Sequence, residues 1–160
     1  MGGNLSTFKT PLKDSKIKII MSLVALRTND KNSNWKKNNI SNKEFDLVAN
    51  THKKKLEKII IDYFNVYNNS KEHLDHYIDV KIINSTIKNK KFELNITLKL
   101  NKNSKKIQDK YKKLLTEEYF KIITKTTIEQ WSRASDMIVD KKKNIAINVY
   151  EVLDIKIYSS

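Results

Sequence analysis

The chain has 160 residues, 39% hydrophobic and 31% charged, which suits one globular domain with a core of its own. It contains no cysteine, which excludes disulfides, thiolate zinc sites and a cysteine nucleophile. Its 32 basic residues outnumber 18 acidic ones, leaving a net charge of +14 carried almost wholly by lysine. Such a surplus attracts nucleic acid, anionic membranes or acidic proteins. Lysine, asparagine and isoleucine codons are AT-rich, so genome bias is the competing explanation.

Residues 1–15 are polar, hold the single proline (Pro11) and read as an extended arm preceding one domain over 16–160. In 16–27, Ile17, Ile19, Met21, Leu23 and Ala25 recur at period two, and Ile20, Val24 and Leu26 are also apolar. That pattern predicts a strand partly buried on both faces. An Asn/Lys-rich loop with Trp35 fills 28–40. Ser41 and Glu44 then form a capping box. It opens a long amphipathic helix over Phe45, Val48, His52, Leu56, Ile59, Ile60, Tyr63, Phe64 and Tyr67, which Asn68-Asn69-Ser70 ends. Ile78, Val80 and Ile82, then Phe92, Leu94, Ile96, Leu98 and Leu100, alternate with polar residues around Lys88-Asn89-Lys90-Lys91. This predicts a β-hairpin with one buried face. Ser104 is placed to cap a second long helix, striped by Ile107, Tyr111, Leu114, Tyr119, Ile123, Trp131 and Ile138. Lys141-Lys142-Lys143 lies in the break after it. A last strand runs through Ile145, Ile147, Val149, Leu153, Ile155 and Ile157, with Glu151 interrupting the alternation as a bulge would. The expected fold is α+β, in the order β-α-β-β-α-β. Its one mainly antiparallel sheet carries two long helices on one face.

Residues suited to catalysis are sparse. His52 falls on an apolar helix stripe, which fits a packed boundary side chain. Glu72, His73, His76 and Asp79 form the one dense run of metal-type ligands, but their spacing matches no known metal signature. Glycine occurs only at Gly2 and Gly3, so no phosphate-cradling glycine loop is present. No catalytic residue, metal site or cofactor is expected, and the chain reads as a non-enzymatic protein that binds or assembles.

Four features suggest what it binds. Lys53, Lys54 and Lys55, together with Lys141, Lys142 and Lys143, are candidate anion-binding clusters for nucleic acid. Phe8 and Trp35 are candidate anchors in a partner, and Lys88, Asn89, Lys90 and Lys91 form a hairpin tip that can contact one. Gly2 to Ser6 fits an N-myristoylation pattern, with Lys9, Lys13 and Lys16 as a basic second signal for a membrane surface.

The run of helix (Phe45–Tyr67), hairpin (Ile78–Leu100), helix (Ile107–Ile138) and closing strand (Ile145–Ile157) resembles the tail-terminator and tail-completion proteins of tailed bacteriophages. The resemblance rests on element order, and the first strand and arm depart from the simplest members. It implies a ring-forming connector, neck or tail subunit with homo-oligomeric and other virion partners, located in the virion or host cytoplasm. Ring contacts would come from the arm, the 28–40 loop and the hairpin. A basic nucleic-acid-binding accessory protein is the alternative.

Overall fold

The computed structural model describes residues 9–27, 40–65, 77–134 and 137–159. Phe8, Trp35, Glu72, His73, His76, the Gly2–Ser6 pattern and the expected helix stop at Asn68–Ser70 lie outside the described residues.

The fold is α+β, built on a five-stranded, wholly antiparallel sheet in the order β2-β3-β1-β5-β4. The strands are β1 (Ser15–Arg27), β2 (Ile78–Lys88), β3 (Lys91–Leu100), β4 (Ile138–Asp140) and β5 (Ile145–Ser159). The helices are α1 (Asn42–Thr51), α2 (Lys53–Asn65) and α3 (Glu117–Ala134). Period two does what it predicts in β1 and β3. Ile17, Ile19 and Met21 are buried opposite the buried Ile96, Leu94 and Phe92. These side chains share one core with Phe45 and Val48 of α1, Leu56 and Ile60 of α2, and Phe120 and Ile128 of α3. Tyr63 stacks on Trp131 at 5.5 Å, and Phe64 on Phe120 at 6.1 Å, which joins α2 to α3.

Three local expectations are corrected. The first helix is two helices, broken at His52. Asn50 and Thr51 turn their side chains back onto the carbonyls of Asp46 and Leu47, a competition with the helical ladder that bends helices. The second helix begins at Glu117, not near Ile107. The chain before it forms two 3₁₀ turns, Lys102–Lys106 and Asp109–Leu115, and Ser104 donates to the Asn101 carbonyl. Thr116 is the true cap, its hydroxyl accepting from the Tyr119 amide at 3.2 Å. Ile138 is a strand residue, because Ile138–Asp140 pairs with Ile145–Ile147 to form a hairpin absent from the expected order.

The arm is partly built into the domain. Leu12 is in the core, and its amide donates to the Leu115 carbonyl at 2.8 Å. The amides of Lys9 and Thr10 both donate to Glu118 Oε1, at 2.7 and 2.8 Å. These backbone donors, Thr10 first, hold the Glu118 carboxyl below its ordinary pKa.

The β2–β3 turn is the two-residue Asn89-Lys90 loop with φ of 52° and 60°, the signature of a type I′ hairpin. Asp46 clamps it to α1 by accepting from the Asn89 and Lys90 amides at 2.8 and 3.2 Å. Asp46→Ala is expected to cost about 2 kcal/mol in chemical denaturation and to speed exchange of those two amides.

β5 carries two register shifts against β1, which leave Leu153 and Tyr150 as the extra residues on either side of Glu151. Its outer edge beyond β4 is closed by side chains from α3 and by Met137. Ser132 donates to the Val149 carbonyl at 2.7 Å and Lys125 to the Val152 carbonyl at 2.9 Å. Glu129 accepts from the Val152 amide at 2.8 Å, and Met137 Sδ accepts from the Val149 amide. Burial alone would raise the Glu129 carboxyl, but the Lys125 ammonium and the Val152 N–H outweigh it and hold the pKa low. Asn148, buried beside this edge, donates to the Ser132 carbonyl and accepts from the Met137 amide.

Candidate polyanion-binding face

Residues that pair across antiparallel strands share a face. The positions alternating with the buried set therefore form a second face, and the strand register can be read across it in rows. One row is Lys81, Thr97, Lys16, Tyr158. The next is Asn84, Asn95, Lys18, Lys156. A third row, Thr86, Glu93, Ile20, Asp154, brings in two acids. Beyond the first row, Asp79 faces Lys99.

The first two rows contain four lysines and no carboxylate. Strand spacing makes them an area of about 14 Å by 7 Å. Lys16, Lys81 and Lys156 are exposed and Lys18 is half-buried. Among the described residues none of the four forms an ion pair. Asn95 donates to Asn84 Oδ1 at 2.7 Å, which fixes the amides beside them. Tyr158 is 48% exposed in the same row as Lys16. At the far end of this face Ala146 and Asn148 are buried, so the open part is the end where β1 begins.

The lysine runs that stand out in the sequence have a different setting. Lys53 donates to the Ser85 carbonyl at 3.3 Å. Lys54 lies 3.5 Å from Glu57, which is buried and accepts from the Ser85 hydroxyl at 2.7 Å. Lys55 is exposed. Lys143 sits 3.9 Å from Glu44, whose amide Ser41 caps. Lys141 and Lys142 are exposed. His52 Nε2 lies 3.2 Å from Asp140 Oδ2, so the 53–55 and 141–143 runs are brought together around acids. The Lys143 amide and then His52 hold the Asp140 carboxyl below its usual pKa. Lys88, Asn89 and Lys91 are exposed at the hairpin tip, while Lys90 lies over the Phe45 ring at 5.5 Å. These clusters are thus partly spent on internal contacts.

Asp79, from the candidate metal run, is exposed at the start of β2. Among the described residues no three His, Asp or Glu side chains converge as a metal site, and no helix is long and apolar enough to cross a membrane. No protein-family model, curated protein or solved structure matches the chain.

Proposed function

We propose that this chain is a non-enzymatic module that docks on nucleic-acid phosphates through the face made by Lys16, Lys18, Lys81 and Lys156. Residues of all three helices share the core on one face of the sheet, and the end of the other face where β1 begins is open. The observation that carries the reading is the convergence of four lysines, none in an ion pair among the described residues, from three strands onto two adjoining rows with no carboxylate. Lysine suits this role because its ammonium neutralises phosphate as a point charge without reading sequence. Binding to random-sequence DNA is expected to weaken with salt, with a log–log slope of about −4 if all four lysines meet phosphates. Fluorescence anisotropy at several salt concentrations measures it, and no binding at low salt would sink the reading.

A homo-oligomeric assembly subunit, of the kind the tail-completion resemblance implies, is a second reading, favoured by the outer edge of β2. The Tyr77 carbonyl accepts from the Asn101 amide, so the backbones of Tyr77, Asp79 and Lys81 face β3 and that of Val80 faces outward. Two copies paired antiparallel about Val80 would set Asp79 of each against Lys81 of the other. Sedimentation velocity showing only monomer at high micromolar concentration would exclude it.

A further inference from the structure

Resting on the docking reading, we infer that the preferred ligand is a single-stranded nucleic acid, one base of which stacks on Tyr158. Three other exposed or partly exposed features of the fold do not lead as far. The β2 edge has a short open stretch, bounded by the buried Ile78 on one side and, on the other, by Ser85 and Ile87, whose carbonyls Lys53 and Asn50 cap. The His52–Asp140 pair is a two-member contact within the fold. Leu47 and Ile122 are exposed singly on separate helices, as is ordinary for surfaces. Tyr158 differs because its surroundings define what it can meet.

Tyr158 lies opposite Lys16 and two residues from Lys156, so its backbone is about 5 to 7 Å from both lysine positions. Tyr63, Phe64, Phe120 and Trp131 spend their rings on one another in the interior. Tyr158 instead leaves nearly half its surface in water, with Lys16 opposite it and Lys156 two residues away. An aromatic face flanked by ammonium groups offers a base plane and its phosphates separate, matched partners, the combination used by proteins that hold single strands. In a duplex the base planes are already stacked on one another and unavailable to the ring. Lysines alone would not distinguish the two forms, whereas an exposed ring among them does. The asparagines at 84 and 95 bond to each other, so the row beside the ring supplies shape and charge more than base-edge recognition. A sequence-tolerant, pyrimidine- or purine-indifferent grip follows.

The test compares a fluorescent single-stranded oligonucleotide of mixed sequence with the same sequence as a duplex, using the full chain. Tyr158→Ala is expected to weaken single-strand binding by roughly 5- to 100-fold, the range of one lost stacking contact, and to leave duplex binding nearly unchanged. Tyr158→Phe keeps the ring and should restore most of the affinity, which separates stacking from a hydroxyl hydrogen bond. Because Tyr158 is exposed, both variants should melt within a few degrees of the parent, and circular dichroism checks this. If Tyr158→Ala binds single strands as the parent does, or loses single strand and duplex equally, the stacking assignment is overturned while the lysine face stands. If neither nucleic acid binds the parent at low salt, both readings fall.

Discussion

Reversing Lys16, Lys18 and Lys156 together to Glu should flatten the salt dependence of nucleic-acid binding by about three units of slope. The same reversal at Lys55, Lys141 and Lys142 should leave the slope close to that of the parent. Each triple variant takes the net charge from +14 to +8, since three positive charges become three negative ones. A response to total charge predicts equal losses, and a response to a localised site predicts unequal ones. The comparison therefore separates a docking face from the effect of a lysine-rich composition. Both sets are solvent-facing, with Lys18 alone half-buried, so neither variant removes an ion pair or a core contact. Anisotropy titrations at matched salt decide it, and equal slopes for the two variants would rule out the localised site.

Phe92→Ala should be among the most damaging single changes to the fold. Phe92 is fully buried, faces Met21 across β1 and Ile87 across β2, and lies in the core that the helices close. Truncating a buried phenylalanine costs about 3–5 kcal/mol, part transfer and part cavity, which for a domain of this size lowers Tm by roughly 10 °C. Urea unfolding followed by circular dichroism measures both. The consequence reaches the lysine face, because β3 carries the core on one side and Asn95 and Thr97 on the other. A sheet that loses the β1–β3 register loses the rows that bring Lys16 and Lys18 beside Lys81. Binding should therefore fall with the folded fraction and not before it.

Features governed by near neighbours were legible in the sequence. The alternation in β1 and β3, the Ser41 cap and the irregularity at Glu151 each follow from residues a few positions apart. The break at His52 was hidden because the apolar stripe runs on through it, and only the side-chain bonds of Asn50 and Thr51 reveal the competition. β4 was absorbed into a helix because Ile138 continues the stripe of α3. Its strand character comes from pairing with Ile145–Ile147. Thr116-Glu117-Glu118 is an N-terminal helix signature that was readable, a capping oxygen followed by acids in the first turn, but Ser104 drew the boundary upstream.

The proposed docking face was the least legible part. Its lysines stand at positions 16, 18, 81 and 156, each alone or in an alternating pair, and nothing local links them. Only the register of β2, β3, β1 and β5 places them in adjoining rows. Runs such as 53–55 and 141–143 attract notice because the charges are consecutive, yet consecutive residues are spread around a helix or a loop. Tyr158 was equally unmarked, since a tyrosine near the end of a strand reads as one more β-former until its row is known.

The closure of the β5 edge by Lys125, Glu129, Ser132 and Met137 has a consequence for how the molecule comes apart. An uncovered strand edge is a template for other chains, and β5 is the longest strand here. What shields Val149 to Val152 is not another strand but α3 and Met137. Detachment of that one helix, well short of complete unfolding, uncovers the template. Resistance to cross-β aggregation thus depends on how firmly α3 stays docked, more than on the stability of the sheet it guards.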